Sequence, residues 1–277
     1  MSKKLSDFVI ISDIDGTILD RQEGIPRRNI VALERFTAAG GRFAVATGRS
    51  LMLSRPVVSA LPINFPCVFF NGGATYDHNR RAFIDKIPLP GTIVEHFANI
   101  WRVFPDCGVI LVGDEYVDID GITQRKHGWW LKQYQNADRR LRPAKLSEVA
   151  GVFLKAFLIL PSEQCRQLSE YLRENATDFQ GVRFVFSDTT MFEMLPEGSS
   201  KGSAIKRLAA LTGVERENIV AIGDYYNDLE MLKYAGLSAA PADALDEIKA
   251  AADLIVCPCA EGALADLVEY LERQCGG

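Results

Sequence analysis

The segment Asp13-Ile14-Asp15-Gly16-Thr17 follows directly on the apolar run Phe8-Val9-Ile10-Ile11, and it constrains the chain more than any other feature. Such a run reads as a buried strand, so two carboxylates stand at its mouth. Neither has a basic neighbour in sequence to neutralise it, and unpaired charge is costly to bury. Residues i and i+2 of a strand point to the same side. Asp13 and Asp15 can therefore hold one cation between them and share one reacting group. A pair of this kind predicts chemistry at the strand's end.

The bulk properties narrow the setting. With 277 residues, 48% of them hydrophobic, the chain is long enough for one large domain or two smaller ones. A net charge of −5 argues against a surface built for nucleic acid. The first apolar run is too short for a signal peptide, and no uninterrupted apolar stretch approaches membrane-span length; even residues 152–160 contain Lys155. A soluble cytoplasmic protein, monomeric or homodimeric, is expected. Cys67 and Cys165 read as small core residues. Cys257-Pro258-Cys259 lacks the spacing and the nearby histidine of a zinc site, so reduced thiols are expected.

Along the chain, residues 8–12, 43–46 and 67–70 read as strands separated by helical patterns. The first helix starts at Pro26 and ends at Gly40-Gly41, and the second is broken by Pro56. Continuous apolar strands alternating with helices imply an α/β fold with a parallel sheet covered on both faces. Ligands bind such sheets at the carboxyl ends of the strands, where Asp13, Asp15, Thr47 and Asn71 fall.

After Lys86-Ile87-Pro88-Leu89-Pro90 the pattern changes. A helix over 93–104, a hairpin of 109–112 with 116–119, a strand at 155–160, a helix with Cys165, Leu168 and Leu172 on one face, and a strand at 183–187 form an α+β signature. The expected division is residues 1–86 as the first part of a core, 87–190 as an inserted second domain, and 191–277 as the rest of the core. Parallel-sheet grammar resumes at 192–195. Lys201-Gly202 opens a helix with Ile205, Leu208 and Leu211, and the strand 219–222 runs into Gly223-Asp224. A strand at 254–256 and a helix over 262–273 close the chain.

Four segments thus converge on one sheet edge: Asp13 to Thr17, Thr47-Gly48-Arg49, Lys201, and Gly223-Asp224-Tyr225-Tyr226-Asn227-Asp228. Their residue types suit phosphoryl transfer. A carboxylate can accept a phosphoryl group as an acyl phosphate, and a metal held by oxygen ligands can offset the repulsion between the two anions. A hydroxyl, backbone N–H groups and a lysine can neutralise the equatorial oxygens, while a second carboxyl group protonates the leaving alkoxide. These arguments leave open which of Asp13 and Asp15 attacks.

In this order, DxDGT, Thr-Gly-Arg, Lys-Gly and GDxxND resemble the haloacid dehalogenase (HAD) superfamily, in particular its Cof-type (subfamily IIB) sugar-phosphatase branch. Asn71-Gly72-Gly73 resembles that branch's Asn-Gly-Ala turn. Pro241-Ala242-Asp243-Ala244 and Cys257-Pro258-Cys259 depart from its usual later loops. The resemblance implies a HAD-like Rossmannoid core with an inserted α+β cap that closes over the site. It implies that Asp13 is the nucleophile and a Mg2+ ligand. Asp15 becomes the general acid and then the base, its main-chain carbonyl also meeting the metal. Ile14, Thr47, Gly48, Lys201 and Asn227 would bind phosphate. Asp224 would complete the metal ligands, with Asp228 supporting that shell. Arg49 is expected only to shape its loop.

Residues 121–145 carry Arg125, Lys126, Lys132, Arg139, Arg140, Arg142 and Lys145 against Asp138, with His127, Trp129, Trp130 and Tyr134 among them. A solvated surface with its aromatics turned inward is the simpler reading. In the sharper one, His127, Trp129 and Trp130 join Asn71 and Gly72 in choosing the substrate. The function expected is magnesium-dependent hydrolysis of small sugar phosphates or similar phosphometabolites. A phosphomutase or phosphotransferase using the same intermediate, or a silent phosphosugar-binding regulator, are the competing expectations.

Overall fold

Four consecutive buried residues make Val9–Ser12 (β1) a strand that can take a partner on each side. The computed structural model, which describes residues 3–113, 117–127 and 141–275, pairs it in parallel with Arg42–Val45 (β2). Between them the helix Arg27–Ala38 buries Asn29, Ala32, Leu33 and Phe36, a helical spacing that turns one face to the sheet. The next helix, Leu51–Val58, is capped by the Ser50 hydroxyl and contains Pro56 rather than ending at it. The missing proline N–H costs one bond near the helix end, and the helix stops two residues later. Cys67–Phe69 (β3) meets β2 through one parallel bridge, Ala46 with Val68. It then pairs antiparallel with Ala74–Asp77 (β4), which is followed in the same small sheet by Ala82–Lys86 (β5). The third apolar run is thus the start of a meander and not a full member of the parallel sheet.

The chain divides into two compact units, one of Met1–Asp85 with Ser200–Gly277 and one of Lys86–Ser199. In the second unit the strands are Gly108–Gly113 (β6), Val117–Ile119 (β7), Leu141–Pro143 (β8), Phe153–Ile159 (β9), Val182–Asp188 (β10) and Met191–Pro196 (β11). They form one sheet in the order β10-β11-β9-β6-β7-β8, antiparallel except for β7 with β8. Alternate residues Val109 and Leu111, Ala156 and Leu158, Phe192 and Met194 belong to one core cluster with Phe97 and Ile100 of the helix Ile93–Val103. Cys165, Leu168 and Leu172 of the helix Ser162–Glu174 join it, as their spacing predicts. Residues 192–195, expected to reopen the parallel sheet, instead pair antiparallel in β11 with β10 and β9. A short apolar run does not reveal the direction of its neighbour.

On its return the chain enters the helix Lys201–Thr212, which buries Ala204, Ile205, Leu208 and Ala209 but leaves Leu211 exposed. Ile219–Ile222 (β12) then pairs with the free side of β1, and Leu237–Pro241 (β13) and Leu254–Val256 (β14) follow outward. The five-stranded sheet reads β14-β13-β12-β1-β2, all parallel, and the helix Ala263–Cys275 closes the chain. From β1 the chain moves to one side and from β12 to the other. A crevice therefore opens at the carboxyl ends of these two strands. The cysteines among the described residues are all unbridged, and no helix among those residues is long and apolar enough to cross a membrane.

Phe97, fully buried in the second unit, offers a check on this packing. Phe97→Ala is expected to cost about 3–5 kcal/mol, read as a lowered urea midpoint.

Candidate active site

The register of the central strands sets the site. Ser12 pairs with Ile222 and with Val45, so the next residue of each segment emerges at one edge. Asp13 donates its N–H to the Ile222 carbonyl at 2.9 Å, which seats its carboxylate beside the loop after β12. Because β1 ends at Ser12, neither aspartate lies in a strand. The same-side argument therefore does not govern Asp13 and Asp15, and their side chains take different partners.

Asp13 is buried and receives the Lys201 ammonium at 2.5 Å. The same Nζ lies 2.6 Å from Asp228 Oδ1, and Lys201 itself is fully buried. Lys201 opens its helix, where Ser200 caps the first turn by accepting the Ser203 N–H. The Ser200 hydroxyl in turn donates to Glu230 at 2.5 Å. Burial opposes a charge on Lys201, yet the Asp13 and Asp228 carboxylates outweigh it and hold the group above its ordinary value as a firm cation. Burial pushes the Asp13 carboxyl well up, Lys201 opposes the shift, and Asp228 and Asp224 add to it.

Asp228 spends its second oxygen on the loop. Its Oδ2 accepts from the N–H groups of Asp224 at 3.1 Å and Tyr225 at 3.2 Å. Asp224 is held from the other side by the Thr17 hydroxyl at 3.0 Å. Gly16, with φ at +78°, leaves room for it; a Cβ there would stand 2.4 Å from Asp224 Oδ2. Burial, with the Asp228 charge behind it, pushes the Asp224 carboxyl up to about 6 despite the Thr17 bond.

Oxygens of Asp13, Asp224 and Asp228 lie within 4.8 Å of one another. Three hard oxygen donors against one lysine suit a small divalent cation, and such an ion would offset both the burial and the mutual repulsion that raise the Asp13 and Asp224 carboxyls. Both oxygens of Asp228 already accept hydrogen bonds, so it fits the role of holding Lys201 and the Asp224 loop better than direct ligation.

Asp15 sits at the rim. Its carboxylate is gripped by Arg49, with Nε at 2.8 Å from Oδ2 and Nη2 on Oδ1. Thr47 is buried, and its hydroxyl accepts the Arg49 N–H at 3.2 Å. Asn71 adopts a left-handed conformation, takes the Thr47 carbonyl through its N–H, and accepts from Asn227 Nδ2 at 3.0 Å. Gly48 approaches so closely that a Cβ there would stand 2.9 Å from Asn71 Nδ2. Gly72, at φ +96°, lies against the Ser200 main chain, where a Cβ would meet the carbonyl oxygen at 2.1 Å. Its own carbonyl accepts from Arg207, which also pairs with Asp85 at 2.8 Å. The Ile14 side chain is fully buried, which leaves only its main chain to meet a phosphate.

The structure thus gathers Asp13, Lys201, Asp224 and Asp228 in one cluster and ties Thr47, Asn71 and Asn227 through hydrogen bonds. His127 belongs to the other unit. It is buried in the second unit, with Nε2 at 2.9 Å from the Asp106 carbonyl, packed against Gly108. Trp129 and Trp130 lie outside the described residues. Arg142 pairs with the buried Asp118, so this part of the basic segment has a structural partner. Thr17 and the Ser200–Glu230 bond join the site without a role of their own in the sequence pattern. Thr17 was legible as part of the DxDGT run; Glu230 carries no sequence signal.

A family model for haloacid dehalogenase-like hydrolases matches residues 10–268. The chain belongs to that family. Among hydrolases of similar sequence, a putative phosphatase of Haemophilus influenzae is 28% identical over 261 residues, which is 94% of this chain and 96% of the relative. Pyridoxal phosphate phosphatase YbhA of Escherichia coli is 27% identical over 256 residues, 90% and 92% of the two chains. A solved haloacid dehalogenase-like hydrolase from Bacteroides thetaiotaomicron shares the fold with a TM-score of 0.83 at 22% identity, over 95% of this chain and 99% of that one. With this fold and these relatives, the hydrolase is a phosphatase.

The electrostatics of the cluster predict two stability changes. Lys201→Met strands two buried carboxylates and is expected to cost about 3–5 kcal/mol. Asp224 titrates higher folded than unfolded, so it lowers stability above about pH 6 and ceases to do so below about pH 4. In chelator, Asp224→Asn should therefore stabilise by about 1–3 kcal/mol near pH 7.5, and the gain should shrink to about a third of that near pH 4.5. Urea titrations at the two pH values read both effects; an equal gain at both would refute the Asp224 assignment.

Proposed function

We propose that this phosphatase is a magnesium-dependent phosphomonoesterase that works through an aspartyl phosphate on Asp13, acting on small phosphorylated metabolites such as sugar phosphates. The observation that carries the reading is the buried Lys201 ammonium bridging Asp13 and Asp228 beside Asp224. The two aspartates of the first loop live in different surroundings, which supports separate jobs. Asp13 lies inside the charged cluster, and Asp15 lies at the rim on Arg49.

In the first step an Asp13 carboxylate oxygen attacks phosphorus, and the bond to the ester oxygen breaks. Asp15 gives its carboxyl proton to that oxygen, which leaves as an alcohol. In the second step water attacks the same phosphorus, Asp15 takes a proton from the water, and the bond to Asp13 breaks to release phosphate. Lys201 and the Thr47 hydroxyl, with the main chain of Ile14 and Gly48 and the Asn227 amide, would neutralise and orient the phosphoryl oxygens. Asp13, Asp224 and the main-chain carbonyl of Asp15 would hold the magnesium ion, with Asp228 fixing the Asp224 loop. Bound there, the ion offsets the repulsion between the carboxylate and the phosphate. The activity of the Escherichia coli relative on pyridoxal phosphate extends the candidate substrates to phosphate esters of heteroaromatic rings.

A panel of sugar phosphates and pyridoxal phosphate with magnesium should release phosphate, and chelator should abolish the release. Asp13→Asn should be inactive on every member. Quenching the wild type during turnover and reducing with borohydride should convert residue 13 to homoserine, detected by mass spectrometry. No release from any ester, with the protein folded and magnesium present, would defeat the proposal.

A further inference from the structure

Arg49 is held through both its main chain and its side chain. Its N–H donates to the Thr47 hydroxyl at 3.2 Å and its carbonyl accepts from the Phe70 N–H at 3.0 Å, so its main chain is pinned on both sides. From that base the guanidinium reaches Asp15, 34 positions earlier in the chain, through two bonds to two different carboxylate oxygens. A third nitrogen, Nη1, lies 3.5 Å from the Leu53 carbonyl in the first turn of the next helix. Among the described residues, Arg49 provides the side-chain hydrogen bonds to the Asp15 carboxylate.

This pair is not there for stability. The Asp15 side chain is 45% exposed and that of Arg49 28%, and exposed ion pairs add little to folding. A two-pronged pair does supply direction: it fixes the plane of the carboxylate and the rotamer that carries it. Proton transfer depends steeply on such placement. Lysine keeps the charge but has no planar fork and cannot reproduce the grip.

We propose that Arg49 is a positioning residue for Asp15, aiming its carboxyl at the ester oxygen that leaves. This rests on the aspartyl-phosphate reading above. In that step the ester bond breaks as the Asp15 proton moves to the departing oxygen, and Arg49 itself neither gains nor loses a proton. Thr47, set against the phosphate, and Arg49, set against the proton donor, share one turn, so the loop aligns both ends of the bond that breaks.

The test uses kcat/KM, which reports phosphoryl transfer to Asp13 and not the later hydrolysis. Two esters are compared: an alkyl phosphate, whose alkoxide needs a proton to leave, and p-nitrophenyl phosphate, whose phenolate does not. Asp15→Asn is expected to lose about 10²–10⁴-fold on the alkyl ester and far less on the aryl ester. Arg49→Gln should show the same selectivity, losing about tenfold or more on the alkyl ester and under about threefold on the aryl one. The double variant should be no worse than Asp15→Asn, since both changes remove one function. Arg49→Lys should behave like Arg49→Gln, and it carries the test if the glutamine variant does not fold. Equal losses on both esters, or a double variant that multiplies the two single losses, would overturn the assignment. A folded wild type that hydrolyses neither ester would instead sink the phosphatase mechanism on which it rests.

Discussion

One ammonium group holds the core of this site together. Lys201 is fully buried and bonded to two carboxylates that would be untenable without it. Through Asp13 it reaches the end of β1, and through Asp228 the loop that follows β12. That second contact also reaches Asp224, because Asp228 turns its other oxygen to the loop's own N–H groups while Thr17 holds the Asp224 carboxylate from the far side. The lysine does not balance the charge. Three aspartates face one cation, and the excess suits the cluster to a further positive ion.

The aspartates of the DxDGT run show how far two residues can separate surroundings. Strand geometry, applied to a run that looked continuous, put both side chains on one side of the sheet. The strand stops one residue before Asp13, and the turn at Gly16 sends Asp15 toward the Thr47 loop. Asp13 thereby meets a buried lysine and Asp15, itself half exposed, an arginine. No local pattern reveals this difference in surroundings, because it lies in partners 188 and 34 positions away.

Much of the fold was legible where a periodic pattern coincided with burial. The runs around Val9 and Ile219 and the face of Cys165, Leu168 and Leu172 emerged as expected. The failures have physical causes. Residues 192–195 are apolar enough to lie in either sheet, and only their antiparallel partners decide it. Leu237–Pro241 was overlooked because Ser-Ala-Ala carries neither bulk nor β-branching. It is a strand because β12 and β14 flank it, with the buried Ser238 bonded to Asp253. Of the site, Asp13, Lys201, Asp224 and Asp228 were readable as chemical types in order. Arg49 was read only as a loop-former, since nothing local shows which carboxylate an arginine will find. His127 stands out by its aromatic and basic neighbours in sequence, and its ring lies buried in the second unit against Gly108 of β6.

The pairing of β1 with β12 also has a kinetic meaning. Val9 aligns with Ile219, and the strand pair that frames the site closes a loop containing the whole second unit. Closure of so long a loop is slow, because its entropy is lost before the contacts repay it. A unit with its own core, such as Lys86–Ser199, can shorten that search by folding first and bringing Asp85 and Ser200 toward each other. Assembly of the cluster around Lys201 would then be a late event on the folding path, and a chain released before residue 201 is made would lack the partner that Asp13 meets in the folded state.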